Sequence, residues 1–177
     1  LGMSADEIAT ALSEAGSLSR WRMEVTERPD GVTVVNDAYN ANPESMKAAL
    51  RALVAMGKAS QAKGGRTWAV LGKMAELGDE ALAEHDAVGR LAVRLNVGKL
   101  VAVGGREARW LQLGAYNEGS WGEESVHVSD AQAAIDLLRS ELRPGDVVLV
   151  KASRSVGLES VATALLETGA EGEVAAR

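Results

Sequence analysis

Apolar positions along this chain follow two different periods. GVTVV (31–35), TWAVLG (67–72), KLVAVG (99–104), VHV (126–128) and VVLVKAS (147–153) are short β-branched or continuous apolar runs, which read as strands. The stretches between them repeat at three and four residues. Met46, Ala49, Leu50, Leu53 and Val54 share one face of a helix over about 43–57. Ala81, His85, Val88, Ala92 and Leu95 do the same over about 79–95, where Asp79 is expected to cap. Further helices are expected around Glu107–Leu113, from a capping box at Ser129–Gln132 to about 142, and from Ser155 to about Thr168. RWRMEVTE (20–27) and GVTVVND (31–37) flank the turn RPDG and predict an antiparallel hairpin. MSADEIATALSEA (3–15) reads as a short amphipathic helix, GSLS (16–19) as a linker, GAYNEGSWGEE (114–124) as a glycine-broken loop and the last residues as a disordered tail.

Strands without a polar face, alternating with helices, must be buried on both sides. The predicted fold is therefore α/β: a Rossmann-like, three-layer domain with a mostly parallel, roughly six-stranded sheet. It has one antiparallel edge strand and helices on both faces. Ligands of such sheets bind beyond the carboxyl ends of the strands.

Composition narrows the function classes. The chain has 177 residues, one domain's worth, and a net charge of −6 with no Lys/Arg cluster, which argues against nucleic acid as a partner. Cysteine is absent, so thiolate metal sites and disulfides are excluded. No apolar run is long enough to span a membrane, so no membrane partner and a cytoplasmic location are expected. The core must be aliphatic, because Phe is absent and aromatics make up 3%. The first residue is Leu, which suggests a piece of a longer chain.

Three strand ends carry unusual chemistry. After the first parallel strand comes Asn36-Asp37-Ala38-Tyr39-Asn40-Ala41-Asn42-Pro43. Asn42 suits an N-cap, Pro43 the first helical position and Glu44 the helix dipole. Capping leaves Asp37, Tyr39 and Asn40 unexplained; a carboxylate that accepts ribose hydroxyls and an amide that reads a base edge would explain them. The second end, LGKMAELGDE (71–80), has Gly72 for a sharp turn, with Lys73 and Glu76 as solvated charges or site residues; His85 follows on an apolar helix face. The third, VLVKASRSVGLES, sets Lys151 and Arg154 beside serine hydroxyls and a helix start, which suits an anion site or a structural ion pair. No P-loop, no GxGxxG after a strand, no nucleophile elbow and no metal-ligand spacing is present.

NDAYNANPESMKAAL, VLGKMAELGDEALAEHDAVG and VKASRSVGLESV together resemble the C-terminal domain of the Mur ligase family, in its MurF branch. The resemblance runs from about Arg20 to Gly169. It implies that residues 1–18 end a central ATPase domain, that 19–169 form the C-terminal domain and that 170–177 are a tail. The implied reaction is ATP-driven ligation of D-Ala-D-Ala to UDP-MurNAc-tripeptide through an acyl phosphate. ATP and Mg2+ would be held mainly by the central domain, and the enzyme is expected to be monomeric. ATP would be met by Arg22, Asp37, Tyr39, Asn40 and Asn42, and D-Ala-D-Ala by Lys151, Ser153 and Arg154. Met74, Glu76 and His85 would shape a loop, with no catalytic residue and no metal ligand assigned to this chain. Trp21 and Ala152 stand where the family usually has glycine, and Lys73 where it has an acid. A sister ligase adding another amino acid, or a free-standing nucleotide- or anion-binding module, are the alternatives.

Overall fold

The computed structural model describes residues 20–62, 64–120 and 122–171; the expected helix 3–15, the linker 16–19 and residues 172–177 of the tail lie outside them. Strands β1 (Glu24–Glu27) and β2 (Thr33–Asn36) form the hairpin. Helix α1 (Pro43–Gln61), β3 (Thr67–Leu71), a 3-10 turn (Gly78–Glu80), α2 (Ala81–Arg94), β4 (Lys99–Val103) and α3 (Arg106–Asn117) follow. Then come β5 (Ser125–Val128), α4 (Ala131–Glu141), β6 (Val147–Lys151), a second 3-10 turn (Arg154–Val156) and α5 (Glu159–Glu171).

The six strands lie in the order β1-β2-β6-β3-β4-β5. Only β1–β2 is antiparallel, with Glu24 opposite Asn36; the other pairs are parallel. Alternate strand residues feed opposite faces. Val35, Ala69, Leu71, Ala102 and Leu149 pack with Met46, Leu50 and Leu53 of α1, Val88 of α2 and Leu111 of α3. Val34, Trp68, Val70, Val101 and Val148 pack with Ile135 and Leu138 of α4 and Val161 and Leu165 of α5. The layers are thus those the hydrophobic pattern predicts, with Trp68 the one buried Trp or Tyr among the described residues. At the far end of the sheet, buried Asp146 accepts from the Arg66 guanidinium at 2.7 Å and from the Trp68 indole N–H at 3.0 Å, which compensates its charge.

Several local expectations change. Helix α3 runs through Gly114 to Asn117, where a glycine-broken loop is expected. A Cβ on Gly114 would strike the Asp86 carbonyl, and one on Gly89 the Leu111 carbonyl, so these glycines let α2 and α3 touch backbone to backbone. The cap of α4 is Asp130, which accepts from Ala133 N–H at 2.9 Å; Ser129 instead donates its hydroxyl to Asp130. Asp79 lies inside the 3-10 turn and caps nothing. The last helix does not begin at Ser155. Gly157 takes a left-handed φ of 74°, ending the short turn, and α5 starts at Glu159.

Candidate functional site

The three chemically unusual strand ends belong to neighbouring strands. β6 lies between β2 and β3, with Asn36 opposite Val150 and Leu71 opposite Lys151. The ladder continues past the strands: Asp37 N–H donates to Val150 O at 2.9 Å, Gly72 N–H to Lys151 O at 3.0 Å, and Ser153 N–H to Lys73 O at 2.9 Å. Gly72 has no left-handed φ; it is needed because a Cβ there would meet Ala152 Cβ at 2.9 Å and Leu158 at 3.1 Å.

A cleft of about 240 Å³ opens at this edge, lined by Arg22, Asp37, Tyr39, Asn40, Asn42, Ser45 and Lys151. The five residues assigned to the nucleotide by resemblance therefore share one wall. Lys151, assigned to the other half-site, joins them. Its ammonium is buried, donating to Asp37 Oδ2 at 2.6 Å and to the Asn40 carbonyl at 2.8 Å. Asp37 Oδ1 accepts from Met23 N–H at 3.1 Å. Two of the carboxylate's roughly four acceptor positions are then filled, which leaves it able to accept hydroxyls from a ligand. The ion pair and the ligand role of Asp37 are compatible.

Asn42 acts as the N-cap of α1: its side chain accepts from Ser45 N–H at 2.8 Å, and Ser45 Oγ accepts from Asn42 N–H at 3.0 Å. Asn40 Oδ1 accepts from Ala41 N–H at 2.8 Å. Both amide carbonyls serve the loop itself, so each asparagine offers its NH2 group to a ligand. Ser45 is a lining residue that the motif reading missed; the signal was its place three residues after the cap. Beside this cleft lies an apolar recess of about 310 Å³, lined by Met23, Ala48, Ala49 and Ala52 and sharing Asp37 and Ser45 with it.

The segment before β1 is strapped across the loop. Tyr39 N–H donates to Trp21 O at 3.1 Å. Trp21 and Met23 take φ values of 64° and 48°, left-handed conformations that cost a non-glycine residue about 1–2 kcal/mol each. This is the physical reason a glycine suits position 21. Arg22 stacks over the Tyr39 ring at 4.4 Å, while Arg154 lies 4.8 Å from the Trp21 ring centre and 5.5 Å from that of Tyr39.

Ser153 is buried, and its one hydroxyl proton is used, the oxygen accepting from Ala75 N–H at 2.8 Å and donating to Ala41 O at 3.3 Å. It braces the loops after β2 and β3 against the end of β6. Met74 is buried beneath the second loop, and its N–H donates to His85 Nε2 at 2.9 Å. An accepting Nε2 places the His85 proton on Nδ1, which donates to the Ala81 carbonyl. Burial holds this imidazole below its ordinary pKa. Glu76 is exposed at a φ of 63°, where the loop reverses. Lys73 pairs with Glu107 of α3 at 2.8 Å, and that contact holds the Glu107 carboxyl below the usual carboxylate range.

Among the described residues, no group of three or more His, Cys, Asp or Glu side chains could hold a metal ion. The carboxylate lining the cleft already carries a lysine partner. Among the described residues, the donors at this cleft therefore do not fit a magnesium site. No helix of the described residues is long and apolar enough to cross a membrane.

The chain and its fold have counterparts among known proteins. Residues 21–154 match the family described as "Mur ligase, glutamate ligase domain". The chain is 54% identical to the UDP-N-acetylmuramoyl-tripeptide–D-alanyl-D-alanine ligase of Mycobacterium leprae, over 96% of this chain and 34% of that protein. It is 52% identical to the Mycobacterium tuberculosis H37Rv enzyme of the same name, over 98% of this chain and 36% of that one. Among solved structures, MurF from Acinetobacter baumannii superposes with a TM-score of 0.76 at 27% identity, covering 94% of this chain and 34% of that one. MurF from Thermotoga maritima in complex with ADP gives 0.69 at 25% identity, covering 93% and 38%. The chain thus spans about a third of the length of the relatives it matches. On the family match and the shared fold, the chain belongs to the Mur ligase family, as its C-terminal domain.

Proposed function

We propose that this domain forms one wall of the active site of a ligase that joins D-Ala-D-Ala to UDP-MurNAc-tripeptide at the expense of ATP. The observation that carries the reading is the single cleft that gathers Arg22, Asp37, Tyr39, Asn40, Asn42 and Lys151 at the carboxyl edge of the sheet. Asp37 accepts the ribose hydroxyls with its remaining lone pairs, and the apolar recess beside it takes the flat nucleobase. Arg22 reaches the phosphates. A second domain, bearing the P-loop and the magnesium ions, supplies the phosphoryl-transfer machinery that this chain lacks.

In the reaction, the tripeptide carboxylate takes the γ-phosphoryl group. The amine of D-Ala-D-Ala then attacks the acyl carbon, and phosphate leaves. Arg154, exposed at the end of β6, pairs with the dipeptide carboxylate. Ser153 acts by positioning, because its hydroxyl is already committed to Ala75 and Ala41. Lys151 holds Asp37 and the Asn40 carbonyl in place with two of its three N–H donors, and the third is left for the dipeptide. The chemistry belongs in the cytoplasm, where ATP is available.

The test is ADP release by the full-length ligase that carries this domain, with UDP-MurNAc-tripeptide and either D-Ala-D-Ala or single amino acids as acceptor. Release that depends on D-Ala-D-Ala, with its KM raised at least tenfold by Arg154→Ala, supports the reading. Release driven equally well by a single amino acid assigns the domain to a sister ligase. Micromolar ATP binding by the 177-residue chain alone favours a free-standing nucleotide module; this reading predicts almost none.

A further inference from the structure

A stack of aromatic and guanidinium groups stands at the mouth of the cleft: Trp21, Arg154, Tyr39 and Arg22. Only Arg22 and Tyr39 line the cleft itself. Arg154 is exposed, and it sits on a 3-10 turn that no side-chain hydrogen bond caps. Among the described residues, its guanidinium lies against two ring faces, one of them Trp21. A long side chain on such a turn samples many rotamers, and immobilising it on binding a ligand has an entropic cost. An aromatic face beneath the guanidinium fixes its plane beforehand and leaves its N–H edge for a carboxylate.

The conformation of Trp21 points the same way. It holds a φ of 64°, and its carbonyl is clamped by Tyr39 N–H. Glycine meets both of those backbone demands without a Cβ penalty. The backbone geometry of the strap therefore does not require the indole, whose ring lies 4.8 Å from the Arg154 guanidinium.

We infer that Trp21 is a positioning residue for the acceptor: it pre-orients the Arg154 guanidinium toward the carboxylate of the incoming dipeptide. This rests on the function proposed above. Removing the ring frees Arg154 in the unliganded enzyme and weakens dipeptide capture. Asp37, Asn40 and Asn42 of the ATP wall lie outside the stack.

The experiment is steady-state kinetics of the full-length ligase with Trp21→Gly and Trp21→Phe, alongside thermal melting. Trp21→Gly is expected to raise the KM for D-Ala-D-Ala about three- to tenfold. Its kcat and its KM for ATP should stay within about twofold, and its melting temperature should be unchanged or higher. Trp21→Phe, which keeps a ring face, should restore most of the acceptor KM. An acceptor KM unchanged in Trp21→Gly overturns the inference. A shift in the KM for ATP instead, or a joint loss of kcat, both KM values and melting temperature, also overturns it, the latter by showing a purely structural role. A wild-type enzyme that shows no D-Ala-D-Ala-dependent ADP release removes the functional reading itself. An active wild type with an unaltered variant removes this inference alone.

Discussion

Lys151→Met should be among the most damaging single changes at the edge of the sheet. The Lys151 side chain is 3% exposed and that of Asp37 14%, so their pair is not an exposed ion pair. Removing the ammonium leaves the half-buried Asp37 carboxylate without its counter-charge and takes a donor from the Asn40 carbonyl. Breaking one partner of a buried pair costs about 3–5 kcal/mol. In a chain of this size that is a fall in melting temperature of about 10 °C. Asp37→Asn alone should cost a similar amount, because it leaves the ammonium unpaired. The double variant Lys151→Met/Asp37→Asn has no orphaned charge, and it should lie within about 1.5 kcal/mol of wild type, a coupling of about 4 kcal/mol or more. Urea denaturation of all four proteins at pH 7, followed by circular dichroism with matched slopes, measures each term. A single-variant loss below about 1 kcal/mol, the range of exposed pairs, refutes the reasoning. Strictly additive losses in the double variant refute it as well.

Two further outcomes concern the scaffold. His85 is buried with its pKa lowered from the ordinary value of 6.5, so below that pH the unfolded chain takes up a proton that the folded chain resists. The stability it confers is complete above about pH 6.5 and is lost as the pH falls. Urea midpoints at pH 7.5 and 5.5 should therefore drop more for wild type than for His85→Gln, and equal drops would contradict the assignment. Gly114→Ala should destabilise despite a helix-propensity gain of about 1 kcal/mol. The new methyl meets the Asp86 backbone, and overpacking of this kind typically costs about 1–3 kcal/mol. An unchanged or raised melting temperature for Gly114→Ala would contradict the packing argument.

The fold was legible in the sequence because burial on two faces leaves a mark in every strand, and alternation with helices fixes the layers. The Asn42-Pro43-Glu44 helix start was equally plain, since capping chemistry is local. What stayed hidden depends on residues distant in sequence. The Asp37–Lys151 pair spans 114 positions, and nothing local to either residue names the other. Ser153 looked like a ligand hydroxyl on an anion-friendly strand end; only the folded chain shows that hydroxyl meeting the loops at Ala41 and Ala75. Gly114 shows the opposite failure. Gly114 reads as a helix breaker in one dimension, and it serves a helix crossing in three. Trp21 could be flagged as a departure from a glycine, but its left-handed φ and its stack on Arg154 belong to tertiary structure.

The central claim is that the cleft holding Arg22, Asp37 and Tyr39 is the nucleotide wall of a ligase. The most direct test is the KM for ATP of the full-length enzyme carrying Arg22→Ala, measured at saturating D-Ala-D-Ala. Loss of a charge-assisted phosphate contact predicts a rise of about tenfold or more, with the acceptor KM within about twofold of wild type. A KM for ATP that does not move would contradict the account.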